Sequence, residues 1–265
     1  GIFYDCPVIN NSAGHSGGGI NCGWVGYAAL YNCKLTGNRA GLYGGGAYNG
    51  SLYNWSLTGN EAQWGGGAYE VSLYNCVLTG NSALWYGGGS YNGSLRNCIS
   101  YYNHAAYNDN YAGGTLAFTC TMPDPGGSGN FTNQPGIVSI NNPRLVEESV
   151  CRNAGNNAYV SWALDCDGEP RTNGAAVDMG YDEYWASGVT GAMTVAINVD
   201  ASHVMVGHPV EFKTDIEGRA QGYTWSFGDG GFATNQCLIP YAFQTAGVYD
   251  VVLNVSNYTA SMTAT

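Results

Sequence analysis

The sequence predicts an all-β protein: a right-handed parallel β-helix with about 22 residues per coil, followed by a smaller strand-rich module. Three observations predict it. A short run recurs in phase through the N-terminal part of the chain, the composition is rich in Gly and Tyr but poor in charge, and the repeat gives way to a different pattern near Met193.

The repeat comes first, because a missed period misassigns a whole architecture. Leu30 to Asn38 reads LYNCKLTGN; it returns as LYNWSLTGN from Leu52 to Asn60, as LYNCVLTGN from Leu73 to Asn81 and, more loosely, as LRNCISYYN from Leu95 to Asn103. The asparagines at 38, 60, 81 and 103 are spaced by 22, 21 and 22 residues. A fainter copy, Cys6 to Asn11, lies 27 residues before the next, with an insertion near 22–26. Each such Asn is followed two residues on by Ala (Ala13, Ala40, Ala62, Ala83, Ala105), and four copies then carry three glycines in a row, at 17–19, 44–46, 65–67 and 87–89.

A unit of this length, made of short alternating stretches split by Gly and Asn, buries no face alone and must stack on its neighbours. Stacking sets equivalent residues about 4.8 Å apart along the axis, so like lies on like. The inward files are then Leu30, Leu52, Leu73 and Leu95, with Cys33, Cys76 and Cys98 as a second row, while Tyr31, Tyr53 and Tyr74 alternate outward. Asn38, Asn60 and Asn81 fall at turns, where stacked amides bond one another up the column and left-handed backbone is tolerated. The glycine triplets allow positive φ or close approach between coils. A leucine-rich repeat shares the period, but these copies lack its LxxLxL run and any helical segment.

Of nine cysteines, Cys33 and Cys76 sit two coils apart, about 9.6 Å on this spacing and beyond the Cα limit of about 7 Å for a disulfide. Cys76 with Cys98, or Cys6 with Cys33, occupy adjacent rungs that a bond could span. Thiols packed as small apolar groups are the alternative. Nine cysteines without CxxC pairs suit an oxidising compartment better than a zinc site.

Charged residues are 10% of the chain against an average near a quarter, while 41 Gly and 21 Tyr exceed expectation. A net charge of −11 with only eight Lys plus Arg argues against a phosphate-tracking surface, hence against nucleic acid as a partner, and disfavours anionic membranes. Neutral glycans, divalent cations and other proteins stay open. No stretch of about 18 apolar residues exists to span a bilayer. No basic-then-apolar leader follows Gly1, so a signal peptide has been removed or lies outside this sequence. Both ends enter regular structure abruptly, which predicts either a fragment of a longer protein or ends covered by copies of the chain, the second leading to head-to-tail filaments.

The block GGGAYNGSLYN followed by LTGN resembles the repeats of chlamydial-type polymorphic outer-membrane proteins and related bacterial β-helix proteins, over residues 1 to about 115. The segments CTMPDPGG from Cys120, SVCRNAG from Ser149, DCDGEPR from Asp165 and VDMG from Val177 resemble the C-terminal β-helix region of bacterial choice-of-anchor Q proteins. Cys166 departs from that pattern, standing where an apolar residue is more typical. Both resemblances imply an exported, surface-held protein. From Met193, YTWSFGDG (223–230) and AGVYDVVLNVSN (246–257) closely resemble a PKD domain, which implies an Ig-like sandwich with Trp225 and Tyr249 as core aromatics and Gly228-Asp229-Gly230 as a turn. The domains are therefore placed at 1–188, β-helix with irregular coils from about 120, and 189–265, a PKD-like sandwich that the resemblance extends past Thr265.

Parallel β-helices include pectate lyases and polygalacturonases, whose sites need clustered Asp with Arg or Lys. Residues 1 to 110 hold only Asp5, Glu61, Glu70 and Asp109 as carboxylates, and Glu61 and Glu70 fall on different faces of one coil. His15 and His104 stand apart from other ligands, and HExxH and P-loop motifs are absent. Asp165, Asp167 and Asp178 (with Asp182) are the one cluster suited to a hard cation; Asp-x-Asp-Gly opens like a calcium loop, yet the later ligands are missing, and a polar turn capping backbone N–H groups is the other reading. Tyr43, Trp64, Trp85 and Tyr86 lie between the Asn turn and the glycine triplet on successive coils and predict an aromatic stripe for glycans or proteins, or rings packed on one another. The expectation is a secreted, non-enzymatic surface scaffold or adhesin, without cofactor unless Ca²⁺ is structural; a polysaccharide-binding or polysaccharide-degrading protein is the alternative.

Overall fold

The structure, a computed structural model, describes residues 2–4, 7–22, 29–160, 163–166, 169–185, 193–217, 220, 222–234, 238–257 and 260–265. The chain divides into two compact units, Gly1–Tyr184 and Trp185–Thr265. Cys6, Asp167 and Cys237 lie outside the described residues, as does the side chain of Leu30.

The first unit is a parallel β-solenoid with about 22 residues per coil. One sheet stacks Ala29–Tyr31, Ser51–Tyr53 and Ser72–Tyr74 onto the start of Ser94–Tyr101, and continues round a corner through Lys34–Thr36, Ser56–Thr58 and Val77–Thr79 onto the end of that same long strand. A second sheet stacks Ser12–Ala13, Arg39–Ala40, Glu61–Trp64, Ser82–Tyr86 and His104–Tyr107; a third stacks Ile20–Asn21, Ala47–Tyr48, Ala68–Tyr69, Ser90–Tyr91 and Tyr111–Ala112. The register places like on like: Leu52 on Leu73 on Leu95, Leu35 on Leu57 on Leu78, Ala62 on Ala83 on Ala105. These Leu side chains are fully buried and form the core with Cys33, Cys76 and Cys98. Trp55 occupies the cysteine position in the intervening coil and is equally buried.

Asn38, Asn60 and Asn81 stand in one file, in a longer ladder running from Asn11 to Asn110. The Nδ2 of Asn38 donates to Asn60 Oδ1 (3.1 Å), that of Asn60 to Asn81 Oδ1 (2.9 Å) and that of Asn81 to Asn103 Oδ1 (2.9 Å). Each Oδ1 also takes the backbone N–H of the preceding rung, and each Nδ2 also reaches a main-chain oxygen, Leu35 O from Asn60 and Leu57 O from Asn81 at 2.9 Å each. The left-handed backbone expected at these rungs is elsewhere. It falls on Gly37, Gly59 and Gly80, one residue earlier, at φ 64 to 65°, and on Asn32, Asn54, Asn75 and Asn97 at φ 51 to 60°. The reason is steric: a rung side chain must point inward to meet its neighbours, so the turn is taken by glycine, which has no Cβ to clash.

The cysteine file has its own polar logic. Cys76 Sγ donates to Tyr74 O (3.3 Å) and Cys98 Sγ to Arg96 O (3.2 Å), and Thr119, next in register after Cys98, donates to Ala117 O (3.2 Å). Burial pushes the Cys76 thiol well above its ordinary value, which keeps it a donor. In the glycine triplet, the middle residue of one coil lies against the next: a Cβ on Gly66 would overlap the carbonyl oxygen of Ser82.

Among the described residues of 122–184 no strand continues the sheets, although Phe131 pairs in parallel with Cys120 as an isolated bridge. The segment folds back along the solenoid, and the second asparagine file holds it: Asn97, Asn75, Asn54 and Asn32 donate from Nδ2 to Asn156 O, Tyr159 O, Leu164 O and Asp165 O at 2.9, 3.2, 2.9 and 3.1 Å. Its apolar residues Leu145, Cys151, Met179 and Tyr181 cover the outward Val77, Ile99 and Cys120.

The second unit is a β-sandwich. Thr194–Val199, Val210–Glu217 and Leu238–Tyr241 form one antiparallel sheet; Phe232–Thr234, Gly222–Ser226, Val252–Ser256 and Ser261–Ala264 form the other. Trp225, Phe227, Phe212, Leu253 and Val255 fill the space between them.

Candidate functional site

The outward faces of the coils carry three aromatic columns. Tyr31, Tyr53 and Tyr74 stack at 5.7 and 5.0 Å between ring centroids. Tyr48, Tyr69 and Tyr91 stack at 5.5 and 5.1 Å, and Trp64, Tyr86 and Tyr107 at 5.1 and 4.9 Å, all within 25° of parallel. Tyr43 bridges to Trp64 in backbone register and its ring lies 4.7 Å from that of Tyr69. Trp64 meets Tyr91 edge-on at 5.4 Å. The last two columns flank the glycine triplets and touch across that corner, forming one band. The strand spacing sets this geometry: rings on successive coils come close to stacking distance by default.

Of the four residues read as a stripe, the structure brings together Tyr43, Trp64 and Tyr86. Trp85 is displaced from the file. Between Ala83 and Tyr86 two residues, Leu84 and Trp85, oppose the single Gln63 of the coil before, and this bulge ejects both side chains, 57% and 44% exposed. The file continues instead to Tyr107. Tyr48, Tyr69 and Tyr91 were missed, although each stands two residues past a glycine triplet, a signal as regular as the asparagines. Ring faces inside the columns are spent on one another, so solvent meets ring edges and hydroxyls. Burial, with the neighbouring phenols, raises the Tyr53 hydroxyl, and burial with the Glu70 charge raises that of Tyr69, so these edges stay neutral donors.

At the far end of the second sheet, Asp109 Oδ1 accepts the N–H of Ala105 (2.8 Å) on the outer edge of His104–Tyr107. His104 Nδ1 lies 3.6 Å from the same oxygen.

Of the carboxylates singled out for a cation, the described Asp165, Asp178 and Asp182 serve the backbone, Asp182 Oδ2 accepting Leu145 N (3.0 Å), and Glu183 joins them. Asp165 accepts Glu169 N (2.8 Å) and Glu183 N (3.1 Å), Asp178 accepts Asn153 N (2.6 Å) and Tyr184 N (2.7 Å), and Glu183 accepts Asn173 N (2.7 Å) and Asp178 N (2.9 Å). Each of the six oxygens takes one N–H, and Arg171, also buried, donates to Asp178 O and Gly180 O at 3.1 and 3.0 Å. Burial pushes Glu183 up to about 7, the Asp178 charge adding to it against the two N–H donors and Arg171. Asp178 is raised too, chiefly by burial. Among the described residues no group of three or more His, Cys, Asp or Glu is placed to hold a metal.

In the sandwich Trp225 is fully buried, but Tyr249 is not a core residue. It is half-buried at the rim, stacked on Phe243 at 4.5 Å, and its hydroxyl donates to Thr245 O at 3.0 Å. A phenol needs a polar partner, and the loop carbonyl supplies one where the ring alone meets the sandwich. Asp229 closes the Gly228–Gly230 turn by accepting Gly231 N (2.9 Å) and the Tyr241 hydroxyl (2.9 Å).

The molecule is thus of the class that joins a β-solenoid to an Ig-like sandwich. Residues 194–265, the sandwich strands, match the PKD domain family. No curated protein and no solved structure matches the chain. Among the described residues no helix is long and apolar enough to cross a membrane.

Proposed function

We propose that this chain is an extracellular structural and adhesive protein, in which the solenoid is a stiff rod and the PKD-type sandwich a spacer or contact module. The resemblances of the repeats to surface β-helix proteins and of 120–180 to choice-of-anchor Q proteins point the same way. One observation carries the reading: polar and aromatic columns run in register along the axis, so successive coils are tied by side chains inside and out, and the interior is filled by packing. Asp109, by taking the outer N–H of Ala105, occupies a group through which another coil would pair, which favours a discrete rod over end-to-end growth.

A second reading, neutral glycan binding, is favoured by Trp85, whose exposed indole lies outside the stacked columns and offers a face to a sugar ring. Incubating the protein with immobilised neutral and acidic polysaccharides, scoring retention and new reducing ends separately, tests both. Retention without cleavage that is lost in Trp85→Ala supports an adhesin contacting glycan there; new reducing ends overturn the non-enzymatic reading.

A further inference from the structure

The solenoid's cysteines divide by the direction they face. Cys76 and Cys98 face inward and touch each other, but the single S–H of each is already directed between two carbonyls, Tyr74 O and Leu52 O for Cys76 and Arg96 O and Leu73 O for Cys98. The next position of that file is Thr119, whose hydroxyl makes the equivalent bonds to Ala117 O (3.2 Å) and Leu95 O (3.5 Å). The file therefore calls for an X–H donor, and sulfur is one way of supplying it.

Cys120 is the adjacent residue and faces the other way. It continues the outward file Val77, Ile99, Cys120, which the returning segment covers. Its thiol donates to Asn133 O (3.1 Å), which leaves the sulfur as an acceptor, and the thiol packed in the same buried cluster and electrostatically linked to it is that of Cys151. Both residues are fully buried in one apolar cluster. Cys151 sits in a turn fastened on both sides: Ser149 Oγ accepts its N–H (3.2 Å) and its carbonyl accepts Met179 N (2.9 Å). The two sulfurs are thus brought together by segments 31 positions apart, one belonging to the last coil and one to the chain folded back over it.

We propose that Cys120 and Cys151 form a disulfide that bonds the returning segment to the last coil. Two thiols react with a small-molecule or protein disulfide: one sulfur–sulfur bond forms in the chain, the oxidant's is broken, and the two protons and two electrons leave as two thiols of the oxidant. Because both sulfurs are buried, the bond forms as the returning segment docks. Closing this loop removes conformations from the unfolded chain and stabilises the docked segment.

The test is made on the whole chain refolded with glutathione disulfide, then alkylated while denatured and digested without reduction. In vitro the oxidant is supplied, so a failure here is distinct from a failure of the extracellular reading. The expected product is a linked pair of peptides carrying Cys120 and Cys151, lighter by two hydrogens than their sum, with Cys76 and Cys98 alkylated. A reductant should then lower the melting temperature of the solenoid by several degrees. Cys120→Ser and Cys151→Ser should each leave the partner cysteine alkylated and make melting insensitive to reductant. Alkylation of both Cys120 and Cys151 in the wild-type chain, or a bond from either to another cysteine, overturns the proposal whether or not the variants fold.

Discussion

Asn60→Ala tests whether the asparagine ladder holds the coils together. The change deletes four hydrogen bonds: Nδ2 to Asn81 Oδ1 and to Leu35 O, both 2.9 Å, and Oδ1 from the N–H of Asn38 at 2.9 Å and from its Nδ2 at 3.1 Å. Asn38 Nδ2 keeps Val8 O (2.8 Å), but the Asn38 N–H loses its acceptor in a place with no exposure, and Leu35 O loses a donor. Each orphaned buried group costs about 1–3 kcal/mol, so the variant should lose about 3–5 kcal/mol. In a unit of this size that is a fall of roughly 10 °C in melting temperature. Asn11→Ala supplies the control, because Asn11 is exposed and its side chain gives up bonds to Ile9 O (3.1 Å) and Asn38 Oδ1 (3.2 Å) without stranding a buried N–H below it. Its cost should stay within about 1 kcal/mol. Urea unfolding followed by circular dichroism, with the sandwich transition as an internal reference, measures both. Equal losses at the two positions would refute the argument, since the ladder would then be a consequence of stacking and not one of its causes.

Removing Tyr86, the middle ring of a column, breaks stacks at 5.1 and 4.9 Å, so Tyr86→Leu should destabilise the solenoid by about 1–3 kcal/mol in the same urea assay. Trp85→Leu, one residue away on the bulge, should change it by no more than about 0.5 kcal/mol. Cys98→Thr copies the neighbouring coil and should hold within about 1 kcal/mol of wild type, whereas the isosteric Cys98→Val lacks the donor and should fall about 1–2 kcal/mol below the Thr variant in thermal melts. Glu183 is raised to about 7 by burial, so the folded state binds a proton that the unfolded state releases above its ordinary carboxylate value. That contribution to stability is fully present below the unfolded value and is lost as pH rises through about 7, with a slope of at most about 1.4 kcal/mol per pH unit. Unfolding midpoints across this range should show the slope in wild type and a flatter profile in Glu183→Gln, which also gives up one of the two N–H acceptors.

The solenoid was legible because its evidence is repeated. One Leu or one Asn says little, but the same residues at a constant spacing say which side chains share a file, and Leu52, Leu73 and Leu95 lie in register. Less legible was where the turn takes its strain. The spacing marks Asn38 and Gly37 equally, and only the need of the rung side chain to reach inward assigns the positive φ to the glycine. The path of 122–184 could not be read, because it follows no period and is set by carbonyls that meet Asn32, Asn54, Asn75 and Asn97, residues whose partners lie 59 to 133 positions away. Asp165 and Asp178 look like cation ligands in sequence for the same reason: carboxylates that cap N–H groups and carboxylates that bind ions are the same residues until the backbone is placed.

Stacking identical coils satisfies each coil with its neighbours, and what a coil spends on its neighbour it cannot present to a partner. The aromatic columns show this: their ring faces are shared at about 5 Å, and the repeated surface is one of edges and hydroxyls. Recognition by a ring face must then come from a place where the repeat is broken. The inserted residue between Ala83 and Tyr86 is such a place. It leaves the column intact through Tyr86 and pushes Leu84 and Trp85 out of it. If the outer surface binds a partner, the exposed pair on that bulge should govern affinity while the columns govern stability, and the two effects should separate in Trp85→Ala and Tyr86→Leu. A Tyr86→Leu variant that loses binding at full stability, beside a Trp85→Ala variant that binds as wild type, would reverse that assignment.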